Sequence, residues 1–130
     1  MGKKKQRQGM AAIEFALVLP VIALLLMLLV EGANAMHTYS SLVEASREGA
    51  RHVLLEGNEA NVEALVNALV ADLDTRDLST NVVMDPVAKT VTVEVSYDYQ
   101  FFGFNNAGPS ILDDESKTVQ LIAQTTMPMP

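Results

Sequence analysis

Residues 10–30, MAAIEFALVLPVIALLLMLLV, carry one charged side chain, Glu14. About 20 consecutive apolar residues cross the hydrocarbon core of a bilayer as a helix, so this run reads as a membrane span. Pro20 lies inside it, where it removes one backbone hydrogen bond and favours a kink. Membrane helices tolerate such prolines because neighbouring groups re-satisfy the freed carbonyl. Beyond the span remain roughly 95 residues, enough for one modest core but not for a two-lobed active site.

Charge is distributed unevenly around the span. Lys3, Lys4, Lys5 and Arg7 precede it with no acidic residue among them, leaving five of the nine basic residues to face all sixteen acidic ones. A basic head, an apolar span and an acidic body orient the segment, with the N-terminus cytoplasmic and the body across the membrane. The basic run could also serve as a nucleic-acid or nuclear tag, but the apolar span follows it directly. An acidic body repels phosphates, which argues against a nucleic-acid partner. The absence of cysteine excludes disulfides, thiol catalysis and zinc-thiolate sites. No Ser-His-Asp arrangement, P-loop or dinucleotide fingerprint is present. The sequence therefore predicts neither enzyme nor cofactor.

After Glu31 a helical pattern continues, with Met36, Tyr39, Leu42, Val43, Ala50, Val53 and Leu54 on one face and Ser46 interrupting the stripe. Glu44–Arg47 and Glu48–Arg51 form i,i+3 pairs on the polar side, each worth about 0.2–0.5 kcal/mol. Gly32, Asn34 and Gly49 are its weak points, and Gly57-Asn58 ends the run as a C-cap. Unbroken from residue 10 to 56, the helix would be roughly 70 Å long at about 1.5 Å per residue. A second helix is expected over 59–72, on Val62, Leu65, Val66, Leu69 and Val70. The period then changes to two. Val91, Val93, Val95, Tyr97 and Tyr99 alternate with polar residues, predicting a strand over 90–99. Asp85-Pro86 is a turn signal joining it to a strand near 81–84, and a third strand is expected over 118–126.

Two features carry potential chemistry. Glu14 stands at the fifth position after Gly9. It is either an interfacial carboxylate or, if deeper in hydrocarbon, a group that needs a cation. Cleavage between Gly9 and Met10 would free an amine one helical turn from Glu14, able to neutralise that carboxylate on a neighbouring chain. Processing has a competitor: Ala33-Asn34-Ala35 has the small-x-small pattern of signal peptidase, and a cut there would release an acidic protein starting at Met36. Glu14 within the apolar run, the length of that run and the helical stripe past Ala35 weigh against it. A single-span anchor without cleavage is the third reading.

The stretch from Gly9 through Glu14-Phe15 to Pro20, with its basic leader and Ala45-Ser-Arg-Glu-Gly-Ala-Arg51 after it, resembles the TadE-like minor pilins. These are pseudopilins of the tight-adherence branch of type IV pili. The resemblance is specific over residues 1–56, and over 57–130 only the general layout fits; TadE-like and TadF-like assignments both stay open. It implies a leader over 1–9, cleavage after Gly9 by an aspartic prepilin peptidase, Met10 as mature N-terminus, and a role for Glu14 and Phe15 in processing and assembly. The implied function is a minor pilin acting in pilus initiation or at the tip. Its implied partners are major and minor Tad pilins, the prepilin peptidase, the inner-membrane platform and lipid, in a hetero-oligomeric filament. Its implied location is the inner membrane, with the head periplasmic, and then the cell surface.

The remaining candidates read as structural. His37 and His52 read as surface residues, and Asp113, Asp114 and Glu115 lack calcium-loop spacing, so no metal site is expected. Phe101, Phe102 and Phe104, in a Gly- and Asn-containing loop, cannot all be core and are the best candidates for a subunit contact. The expected architecture is α+β. A transmembrane helix over 10–35 continues as an amphipathic helix over 36–56, which packs on a small antiparallel sheet in a pilin-like head over 36–130.

Overall fold

In the computed structural model, which describes residues 2–100 and 118–130, the chain divides into two units, Met1–Asn34 and Ala35–Pro130. One helix, α1 (Gly2–Glu56), contributes to both. The segments expected separately at 2–9, 10–35 and 36–56 are thus helical throughout. In the first unit α1 passes through Pro20 without a break, although the proline lacks the N–H that would bond the Ala16 carbonyl.

In the second unit the buried face of α1 runs through Thr38, Leu42, Ala45, Ser46, Gly49, Ala50 and Val53. This rotates the expected stripe. Leu42, Ala50 and Val53 are buried as anticipated, but Met36 and Tyr39 are 67% and 42% exposed. Ser46, expected to interrupt the apolar face, is fully buried. Close approach is the physical reason. A Cβ on Gly49 would lie 3.3 Å from both Val62 Cγ1 and Val93 Cγ1, so small residues mark where the helix backbone nears its neighbours. Gly49 is a contact point, not a weak one.

The helix ends as expected. Gly57 adopts φ +70 and its N–H donates to the Val53 carbonyl at 2.8 Å, the bond of a left-handed cap that glycine makes without steric cost. Asn58 Oδ1 then accepts the Ala60 N–H at 2.9 Å. This turn and the positive φ of Asn61 delay the second helix, so α2 spans Val62–Leu69 instead of 59–72. An eight-residue helix is too short to persist alone; burial of Val62 and Val66 holds it. Past Leu69 the chain turns, with Leu73 N–H bonded to the Val70 carbonyl and Asp77 N–H to that of Asp74.

Three strands follow: β1 (Leu78–Asp85), β2 (Thr90–Gln100) and β3 (Thr118–Pro128). They form an antiparallel sheet in sequence order, β1-β2-β3. β1 is longer than the expected 81–84 because Leu78, Thr80 and Val82 alternate inward with Ser79 and Asn81 outward, a period that their polar identities obscure. The β1–β2 turn is set by Asp85, whose Oδ1 accepts the N–H groups of Val87 and Ala88, each at 2.9 Å. One face of β2 supplies Val91, Val93 and Val95, all buried to within 1%. They meet Leu42, Ala45, Ala50 and Val53 of α1, Val62 and Val66 of α2, and Ala123 of β3 in one core. Fully burying each valine contributes about 1.5–3 kcal/mol. The fold is the expected α+β arrangement, an N-terminal helix packed on a small antiparallel sheet.

Candidate processing and assembly site

Gly9, Met10, Glu14 and Phe15 lie on consecutive turns of α1. A Cβ built on Gly9 meets nothing within 4 Å. Glu14 is exposed, and Met10 and Phe15 are 73% and 63% exposed. At 3.6 residues per turn, Met10 and Glu14 share a face and Phe15 sits on its flank. The Gly9–Met10 peptide bond therefore lies about one turn from the Glu14 carboxylate along the axis. Among the described residues Glu14 makes no ion pair.

This carboxylate opens an apolar surface. The large side chains from Met10 to Val30 are each 42–73% exposed, including Leu17, Ile22, Leu25 and Leu29. The helix is long and apolar enough to cross a membrane, and none of its most apolar window is buried within the protein. Transferring some fifteen such side chains out of water is worth on the order of 20 kcal/mol, so the surface suits contact with lipid or with other apolar helices. Glu31, just past this run, is 8% exposed; its place at the end of the run gave no hint of burial.

Other candidate groups are scattered. His37 is exposed. His52 Nε2 lies 3.3 Å from Glu56 Oε2, within ion-pair distance for a protonated imidazole but not aligned as a hydrogen bond. Arg51 pairs with Glu48 at 3.8 Å, whereas the expected Glu44–Arg47 pair does not form among the described residues. No three His, Cys, Asp or Glu side chains among the described residues converge as a metal site. Phe101, Phe102 and Phe104, with Asp113, Asp114 and Glu115, lie outside the described residues.

Two polar features went unread in the sequence. Ser46 Oγ lies 2.8 Å from the Val43 carbonyl and 2.7 Å from Thr125 Oγ1. A carbonyl only accepts, so the serine proton goes to Val43 and Thr125 donates to Ser46. The second is the fork of Arg76 on Asp74, 2.7 Å from Nη2 to Oδ2. Side-chain and backbone hydrogen bonds from Arg76 hold the Asp74 carboxyl down at about 2. Nearby, burial pushes the Tyr97 phenol up, helped by the charge of Asp77.

No curated protein and no solved structure matches this chain. A match does exist to a protein family, and its limits coincide with the features above: it starts at Gly9, takes in Glu14 and the exposed apolar run, and ends at Arg51 on the helix that enters the core. Over residues 9–51, about a third of its length, the chain is similar to the TadE-like protein family.

Proposed function

We propose that this chain is a minor pilin, or pseudopilin, of a Tad-type pilus and secretion system, with a structural role and no catalysis. The family match over residues 9–51 carries the reading. In it the basic leader stays cytoplasmic and the apolar part of α1 anchors the chain in the inner membrane. Prepilin peptidase cuts between Gly9 and Met10, and the mature helix then assembles with other Tad pilins, in pilus initiation or at the tip. The open surroundings of Gly9 suit recognition of a small residue there. The exposed apolar surface around Glu14 suits helix-to-helix assembly, in which the new amine of Met10 neutralises Glu14 of a neighbour.

The test is the N-terminal sequence of the protein recovered from its native membranes. Met10 as first residue is expected, and Gly9→Trp should leave the leader attached and the protein unassembled. Met36 as first residue, an intact leader in the presence of the peptidase, or a mature mass unchanged by Gly9→Trp would overturn the proposal.

A further inference from the structure

The described sheet ends in two outer strands, β1 and β3, and only one of them is guarded. An edge strand leaves alternate N–H and C=O groups without a ladder partner. Proteins blunt such edges with charge, proline, bulges or a covering element. β1 has two of these devices: it ends in the charged Asp85, and α2 lies against it. β3 has none along its length. Its eleven residues carry no charge, hold no proline before Pro128, and keep an unbroken register with β2 from Thr118 to Pro128. Among the described residues no further strand lies beyond it.

The chemistry of such an edge fixes the class of its partner. About half of the residues of β3 turn both backbone groups toward β2, and the others turn theirs outward. Only an extended peptide returns N–H and C=O groups at that spacing. An added strand sets its side chains beside Val119, Leu121 and Ala123 on the inner face and beside Gln120, Ile122 and Gln124 on the outer one. It thereby covers Val119 and Ile122, now 43% and 48% exposed. Charge narrows the partner further. Glu94 and Asp98 pair with Gln124 and Gln120, so they stand about 10 Å from an added strand, two spacings of about 4.8 Å. The chain as a whole is acidic. A negatively charged strand is repelled there, and a neutral or basic one is not.

We propose that β3 is a strand-addition site for an extended, neutral or basic segment of a different protein. That segment alternates apolar side chains on the inner face with hydroxyl or amide side chains on the outer one. A second copy of this chain offers two described edges, and neither fits. Its β1 is guarded. Antiparallel pairing with its β3 relates the two heads by a two-fold axis normal to the sheet, which reverses the direction in which α1 crosses the sheet. Two anchors in one bilayer run the same way. This exclusion of a second copy rests on the membrane anchoring of the proposed pilin; the open edge does not.

Hydrogen exchange on the full-length protein in detergent micelles, titrated with a capped peptide of residues 118–127, tests it. The probe is uncharged and has the required alternation. At saturation the outward amides of β3 should exchange about tenfold slower or more, with those of β1 unchanged. The same peptide N-methylated at Gln120, Leu121, Ile122 and Ala123 should protect nothing, since it keeps its side chains and loses those donors. Val119→Lys places on the inner face a charge that an added strand would bury, and should weaken binding about tenfold or more. Ile122→Lys keeps its charge in water and should leave binding within about twofold. Exchange in β2 checks that both variants are folded. At low salt the peptide carrying Gln120→Lys and Gln124→Lys should bind about fivefold tighter than the one carrying Gln120→Glu and Gln124→Glu, with the gap closing at high salt. No protection in β3, equal protection by the methylated peptide, or undiminished binding to Val119→Lys would overturn the proposal. So would outward β3 amides already protected in a protein that dimerises by itself. The N-terminal sequence of the protein from its native membranes keeps the two proposals apart. Met10 with a failed titration removes only the strand site, and an intact leader with a bound peptide removes only the processing.

Discussion

Ser46→Ala puts opposing effects of known sign against each other at a fully buried position of α1. Alanine is the better helix former, by about 0.5 kcal/mol, so local propensity alone makes this substitution stabilising. The structure argues otherwise. Ser46 is 0% exposed, and its Oγ receives the Thr125 hydroxyl at 2.7 Å. That bond is worth about 1 kcal/mol net, with a further penalty of up to about 1 kcal/mol for a hydroxyl left half-buried without a partner. The Val43 carbonyl loses little, because helix geometry still supplies its backbone donor. The balance is a destabilisation of about 1 kcal/mol, or a fall in Tm of about 4–8 °C for a domain of this size. Thr125→Val should cost about 0.5 kcal/mol, since Ser46 keeps its bond to Val43. Guanidinium unfolding of the full-length protein in detergent, run on both single variants and the double, yields the coupling energy, expected near 1 kcal/mol. A Ser46→Ala protein more stable than the parent, or a coupling below about 0.3 kcal/mol, would refute the reasoning.

Gly49→Leu should destabilise the head by about 3 kcal/mol or more, read by the same unfolding assay. Its Cβ already stands 3.3 Å from two valine methyls, and the added carbons have nowhere to go. Gly49→Ala should be near neutral, as about 1 kcal/mol of helix propensity offsets the tight contact. The Asp74 carboxyl, held at about 2 against an ordinary 3.8, favours the folded state fully above that ordinary value and loses its contribution as pH falls through about 2. Unfolding titrations between neutral and strongly acidic pH should show a shallower acid loss for Asp74→Asn, and salt should shrink the difference because the pair is exposed.

Features decided by residues near one another in sequence were legible. The glycine cap at residue 57, the alternating β2 and the α+β class all follow from spacing and turn chemistry. What stayed hidden was where α1 meets the sheet. Hydrophobicity points to Met36 and Tyr39, but close packing selects small residues. Ser46 and Gly49 look like defects until the valines of α2 and β2 are placed opposite them. Thr125 gives no sign that its partner lies 79 residues away, and β1 hides its inward period behind Ser79, Thr80 and Asn81. Gly9, Met10, Glu14 and Phe15, the proposed processing site, lie within six residues of one another, so that proposal could be framed from a local stretch of chain. The open edge of β3 was not legible in this way, because nothing in the sequence says that α2 settles against β1.

The strand order also sets a timetable for folding. Four residues separate β1 from β2, and seventeen separate β2 from β3. Loop-closure entropy makes the second pairing about 1.3 kcal/mol harder to initiate, so the hairpin forms first and β3 docks last. Until it does, Ala123 is missing from the core and Thr125 from its bond to Ser46, and the strand Thr118–Pro128, which carries no charge, stays open to pairing with any other chain. That interval is the hazardous part of this protein's life. A chaperone or partner subunit that shields β3 at that stage would protect it more than one acting on the finished head.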